Sequence, residues 1–218
     1  MNRRPRLLAT AAVGATAALL LTACGGGSDE SKGNDKIAGA DTGEKTSASP
    51  SASESVSAGR PKIELPSDVK ITFTPERSGD ATKDAILKDN AEFIRALNAA
   101  IVAQNPRLSA LEFYTEGEGA AAAQQWVQSF KTAGWTVTGA VQYFDRQVDV
   151  KSKDSASLSY CGDESEGFSK VIKTGEVKKT KATKNSYIAY GVQVEKNEQG
   201  AWELVKIVST RGAERCQR

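Results

Sequence analysis

The hydrophobic residues after Pro61 change their spacing once along the chain, and this change constrains the fold more than any other feature. Between Asp80 and Pro106 they recur every three or four residues, as on one face of a helix. Asp80 is a suitable N-cap, and Pro106 cannot continue a helix. A second helix is predicted over residues 120–132, and a short helical turn over 108–114. The first half of this region is therefore expected to be helical.

The second half alternates between apolar and polar residues, which predicts strands. The predicted strands cover residues 137–144 with a continuation to 150, 156–160, 187–194 and 202–208, with a weaker one at 171–172. Gly139 is a candidate bulge, and one short strand around residues 69–74 precedes the helices. Helices followed by a run of antiparallel strands predict an α+β fold.

Residues 25–60 cannot contribute to a folded core. They contain seven Gly and eight Ser, and their only larger aliphatic residues are Ile37 and Val56. Such a stretch buries too little apolar surface to offset its ordering entropy. We interpret it as a disordered tether with a root-mean-square reach of roughly 30–36 Å.

The N-terminus is typical of a secretory signal. Three arginines precede an uncharged run over Leu7–Leu21. Fifteen helical residues rise only about 22 Å, less than the roughly 30 Å of a bilayer core. The alternative is an uncleaved N-terminal anchor.

The end of this run, Leu21-Thr22-Ala23-Cys24, resembles the lipobox of bacterial lipoproteins. The resemblance implies that Cys24 receives a diacylglycerol and that a peptidase removes residues 1–23. Cys24 would then attach the protein to the outer face of the cytoplasmic membrane, because a two-chain lipid suffices for stable anchoring. The expected organisation is a signal peptide over 1–23, a lipidated tether over 24–60 and a folded domain over 61–218.

Charge and composition exclude several functional classes. The full chain carries 29 basic and 27 acidic side chains, a balance that argues against a nucleic-acid partner. The sequence contains no histidine, which removes the commonest general base and the commonest metal ligand. Three cysteines are too few for a four-thiolate zinc site, so we predict no metal and no cofactor.

The order of helices and strands resembles the nuclear transport factor 2-like fold, also called the cystatin-like cone. The chain also resembles a group of actinobacterial lipoproteins through Gly134-Trp135, Cys161-Gly162-Asp163, Gly200-Ala201-Trp202 and Cys216. The resemblance implies three helices that cover a strongly curved antiparallel sheet around a pocket. The resemblance does not imply an activity.

Five aromatic residues are candidates to line that pocket: Trp126, Phe130, Tyr143, Tyr190 and Trp202. The alternative is that they fill the core.

Cys161 and Cys216 remain after lipidation of Cys24. A pair of cysteines in an exported domain is most simply a disulfide. It would join the C-terminal tail to the sheet, and the alternative is two free thiols.

Two charged stretches are predicted to be exposed to solvent. Asp163–Glu166 is predicted to be a solvated turn, although paired carboxylates could serve acid–base chemistry. The lysine-rich residues 170–184 are predicted to be a solvated hairpin, and the alternative is a patch for anionic wall polymers or lipid headgroups.

These observations predict a non-enzymatic binding or accessory module that is anchored outside the cell membrane through Cys24. A cell-wall polymer or a protein is a candidate partner. The first alternative is a small enzyme of the cone fold that uses a pocket carboxylate. The second is a structural component of a wall or secretion assembly.

Overall fold

The computed structural model describes residues 59–218. The signal peptide, Cys24 and nearly all of the tether lie outside the described residues. Within the described part of the chain, no helix combines the length and the apolar character that a membrane crossing requires.

Within residues 59–218, three α-helices form where their local sequence favours them. The helix α1 spans Ala81–Val102, α2 spans Ser109–Phe113 and α3 spans Gly117–Ala133. The side chain of Asp80 caps α1 by accepting a 2.9 Å hydrogen bond from Lys83 N. Gly134 ends α3 in the left-handed conformation, at φ 67°.

The strands form one six-stranded sheet. The strand bounds are Val69–Phe73 (β1), Trp135–Val150 (β2), Ser155–Val171 (β3), Val177–Lys178 (β4), Tyr187–Lys196 (β5) and Trp202–Arg211 (β6). The order is β1-β2-β3-β5-β6, and β4 pairs with β3. The prediction of an α+β fold with helices on a curved sheet is confirmed.

One part of the sheet prediction is wrong, because the sheet is mixed rather than antiparallel. The strand β1 runs parallel to β2, with Val69 opposite Gly139 and Phe73 opposite Tyr143. All three helices lie between these strands in the sequence, so the connection is long enough for a parallel crossover.

The bend in β2 depends on Gly139. The pairing of β2 with β3 shifts register between Ala140 and Gln142. Gly139 has φ +90°, and a Cβ at this position would lie 2.1 Å from the carbonyl oxygen of Glu166. Only glycine satisfies both the conformation and the close approach.

An ion pair fixes the beginning of the domain. The guanidinium of Arg60 binds the buried carboxylate of Asp89, with Nη2 3.0 Å from Oδ2. Asp89 also accepts a 2.9 Å hydrogen bond from the backbone N–H of Trp202. Arg60, which the sequence places in the tether, therefore makes contacts of the folded domain.

A buried cation joins β2 to the helical layer. Arg146 is 4% exposed, and its guanidinium donates to the carbonyl oxygens of Pro75 and Leu87 and to Asn90 Oδ1. The Cζ atom of Arg146 lies 4.9 Å from the centroid of the Phe73 ring. Burial lowers the pKa of Arg146 to about 10. The side chain therefore remains charged at neutral pH.

Candidate binding cavity

A cavity of about 590 Å³ lies between the sheet and the helices α1 and α3. Its apolar wall comes from both layers and includes Phe93, Ile94, Leu97 and Ile101 of α1, Ala122, Ala123, Trp126 and Phe130 of α3, and Val137, Val141, Ile188 and Ile207 of the sheet. The helices therefore cover the sheet without filling the space beneath them.

Four of the five aromatic residues singled out in the sequence line this cavity: Trp126, Phe130, Tyr143 and Tyr190. They border this space, and Phe130, Tyr143 and Tyr190 also pack against the buried core. Trp202 is the exception, because it is 2% exposed and belongs to the core. It begins β6, whereas the cavity is lined by later residues of this strand, from Leu204 to Arg211.

Three tyrosines form the polar part of the sheet wall. The rings of Tyr160 and Tyr190 stack with centroids 5.0 Å apart, and Tyr143 lies 5.9 Å from Tyr160 and 6.2 Å from Tyr190. Gly162 lies beside them, since a Cβ there would be 3.0 Å from Tyr190 Cε2 and 3.4 Å from Tyr143 Cε1. The small residue in the Cys-Gly-Asp stretch thus makes room for the tyrosine rings.

The tyrosine hydroxyls are neutral at physiological pH. Burial raises the pKa of Tyr160 to about 12, and the nearby Arg146 and Asn90 limit this rise. Burial raises the pKa of Tyr143 and of Tyr190 well above the usual value, and the carboxylate of Glu164 adds to both. These hydroxyls can donate or accept hydrogen bonds, but they do not supply a phenolate base.

The predicted turn at Asp163–Glu166 is wrong, because these residues continue β3. Asp163 pairs with both Gln142 of β2 and Tyr187 of β5, and Glu166 pairs with Ala140. The sequence pattern did not predict this part of β3 because its residues are polar. They can be polar because one side of the strand borders the cavity instead of an apolar core. Glu164 is thereby placed among the lining residues.

Glu164 forms an ion pair at the cavity wall. Its Oε2 lies 3.0 Å from Nη2 of Arg211, and Tyr190 donates to its Oε1 over 3.5 Å. Arg211 is held from the other side, since its Nη1 donates to the carbonyl oxygen of Asn185 at 2.7 Å. The wall therefore offers a guanidinium, a carboxylate and neutral hydroxyls within a small area.

Sequence reasoning missed Tyr160, Glu164 and Arg211 as lining residues. A signal for two of them was present, because Tyr160, Gly162 and Glu164 alternate along one strand and share a face. Arg211 carried no such signal, since it meets Glu164 across 47 positions of sequence.

The part of the chain from residue 59 onward contains no group of three or more His, Cys, Asp or Glu side chains positioned to hold a metal ion. The cavity offers hydrogen-bonding groups and apolar contacts instead.

No family model and no curated protein matches this chain. Among solved structures, a ketosteroid isomerase-like protein from Erwinia carotovora atroseptica SCRI1043 aligns at TM-score 0.40 and 16% identity, over 61% of this chain and 97% of that one. The intermembrane space region of chloroplast protein ARC6 aligns at TM-score 0.40 and 8% identity, over 62% and 99%. Likenesses this weak carry no functional argument.

Proposed function

We propose that this chain is a lipid-anchored binding module outside the cytoplasmic membrane and that its cavity takes a small apolar molecule with one polar end. The observation that supports this proposal is the open cavity of about 590 Å³ between helices and sheet. Ligand sites typically occupy roughly 300–1,000 Å³ and combine apolar walls with a few polar groups.

The polar wall suggests the chemistry of the ligand. Tyr143 and Tyr190 present neutral hydroxyls beside the ion pair of Glu164 with Arg211. A carbonyl oxygen of the ligand could accept a hydrogen bond from these groups, and a hydroxyl could accept or donate one, while aliphatic or ring carbons contact α1 and α3. Such a ligand buries its apolar part and keeps its polar end satisfied.

A second candidate function is a small acid–base enzyme, which one observation favours. Glu164 is a carboxylate in the wall of an otherwise largely apolar cavity. A general base must be free to take a proton from the substrate. Glu164 Oε2 is instead engaged by Arg211 at 3.0 Å, so the binding role fits the geometry better.

Filling the cavity should weaken ligand binding. Ala122 lies on α3 and lines the cavity, so Ala122→Trp places an indole inside it. We expect the Kd for anilinonaphthalene sulfonate, an apolar dye with one anionic group, to rise about tenfold or more, a loss of about 1.4 kcal/mol. Dye fluorescence measures the Kd, and circular dichroism checks that the variant remains folded.

Ala85→Trp is the matched control, because Ala85 is exposed on α1 and does not line the cavity. It should leave the Kd within about twofold. Equal dye binding by the wild type and both variants would contradict the proposed function.

The anchoring part of the proposal depends on Cys24. We expect Cys24→Ser to remain an unprocessed precursor without lipid, while the wild type loses residues 1–23 and partitions into the detergent phase of a phase-separation extract. Mass spectrometry of the N-terminal peptide identifies the modification. A wild-type protein that stays in the aqueous phase would rule out the lipid anchor.

A further inference from the structure

We propose that the rim of the cavity docks on a bilayer rich in anionic lipids, a proposal that rests on the binding function and names the surface from which the cavity takes its ligand. The docking surface consists of Trp126 and Phe130 of α3 and of the lysine-rich residues 170–184, which include Ile172. We call this segment the hairpin, because its first part pairs β3 with β4 and turns between them.

The first observation is an exposed indole at a cavity-lining position. Trp126 is 49% exposed, and its ring meets Phe130 edge-on at a centroid distance of 5.5 Å. Both residues line the cavity. An indole that is neither buried in the core nor fully hydrated is suited to the interface between lipid and water.

The second observation is that the hairpin begins where the cavity wall ends. Phe168 and Ser169 of β3 line the cavity, and Ser169 pairs with Lys178 of β4. The backbone N–H of Ile172 donates to the carbonyl oxygen of Gly134, the C-cap of α3, at 3.0 Å. The hairpin is therefore joined to the end of the helix that carries Trp126 and Phe130.

Ile172 extends the apolar part of this surface. It is 49% exposed, like Trp126. It follows β3 directly and is held by the hydrogen bond to Gly134, so its exposed position is fixed by the fold. An exposed aliphatic side chain among lysines is typical of surfaces that insert into a headgroup region.

The third observation is the charge of the hairpin. Lys173, Lys179, Lys181 and Lys184 are exposed, and none of them forms an ion pair with any residue from 59 to 218. Lys170 is paired with Asp68, and Glu176 is an acid within the hairpin. A positive excess beside an exposed indole is complementary to an anionic lipid surface.

The length of chain before the domain allows this contact. Residues 25–58 separate Cys24 from the described residues. An unfolded chain of 34 residues would have a root-mean-square reach of roughly 29–35 Å, comparable with the diameter of a small domain. A domain anchored through Cys24 could therefore bring this rim to the membrane that anchors it.

Vesicle binding tests the proposal without a contribution from the anchor. Residues 24–218 carrying Cys24→Ser are mixed with vesicles of phosphatidylglycerol and phosphatidylcholine, or of phosphatidylcholine alone, and the bound fraction is measured by flotation. We expect a partition coefficient about tenfold higher on the anionic vesicles. Equal or absent binding to both vesicles would overturn the proposal.

Two matched pairs of variants localise the contact. Lys173→Gln, Lys179→Gln and Lys181→Gln together should lower partitioning about tenfold, whereas Lys88→Gln, Lys153→Gln and Lys206→Gln together should change it by less than about twofold. Trp126→Ser should weaken partitioning about fivefold, whereas Val208→Ser, at a residue that is 60% exposed on another face, should not. Equal losses within either pair would contradict the assigned surface.

Two further measurements distinguish a failure of the cavity function from a failure of the docking surface. Dye binding by the hairpin lysine variant should equal that of the wild type, so lost dye binding with intact vesicle binding refutes the cavity function alone. Intact dye binding with no vesicle binding refutes the docking surface alone. Tight binding to soluble polyglutamate that survives Trp126→Ser would overturn the bilayer proposal in favour of a polymer site.

Discussion

Replacing Arg60 with alanine is expected to lower the free energy of unfolding by about 3–5 kcal/mol, because it leaves a buried carboxylate without its cation. The side chain of Asp89 is 1% exposed. It is bound by the Arg60 guanidinium and by the backbone N–H of Trp202, and Arg60→Ala leaves only the second contact. Urea denaturation followed by circular dichroism measures the loss.

Two further variants test whether the loss of stability comes from the ion pair of Arg60 with Asp89. Arg77→Ala removes an exposed arginine that has no ion pair with other residues of the described domain, so it should change stability by less than about 0.5 kcal/mol. Adding Asp89→Asn to Arg60→Ala should recover part of the loss, because an amide oxygen can still accept from Trp202 N and no charge remains buried. Equal stabilities of Arg60→Ala and Arg77→Ala would show that the pair does not support the fold.

The contact between Arg60 and Asp89 could not be predicted from composition. Arg60 stands between Gly59 and Pro61 at the end of a Gly/Ser-rich stretch, and nothing local distinguishes it from a solvated residue. Its partner, Asp89, is 29 positions away on the buried face of α1. A long-range ion pair leaves no periodic signal in the sequence around either residue.

The elements that could be predicted are those specified by local sequence. Asp80 and Gly134 bound helices because capping and backbone conformation depend on neighbours only, whereas α1 ends at Val102, before the predicted stop at Pro106. The alternating residues of β5 and β6 were found for the same reason. The parallel pairing of β1 with β2 was missed, since pairing partners are decided by how the helices pack between them.

The candidate site was predictable only in part. Trp126, Phe130, Tyr143 and Tyr190 were candidates because large aromatic residues usually belong to a core or border a cavity. Which of the two they form depends on how closely α3 approaches the sheet. Trp202 shows the difference, because it has the same residue chemistry as Trp126 but is 2% rather than 49% exposed.

Cys216→Ala is expected to lower the free energy of unfolding by about 2–5 kcal/mol, because it removes a cross-link that restricts the unfolded chain. Cys161 and Cys216 lie at disulfide distance, with Cα atoms 5.4 Å apart and both side chains buried. They are 55 positions apart, and the chain-entropy model assigns a loop of this size about 4 kcal/mol. Peptide mapping without reduction should find both cysteines in one linked species.

The double variant Cys161→Ala/Cys216→Ala separates the bond from the packing of two sulfur atoms. If the covalent bond provides the stability, either single variant already loses it, and the double variant should be less stable by little more. If two reduced thiols merely pack in the core, each replacement adds its own cost and the losses sum. Because both side chains are fully buried, their reactivity must be assayed in denaturant without reductant. Two alkylated cysteines in that assay would show that the tail beyond Arg211 is held against β3 only by noncovalent contacts such as the 3.4 Å hydrogen bond from Arg215 Nη2 to the carbonyl oxygen of Tyr160.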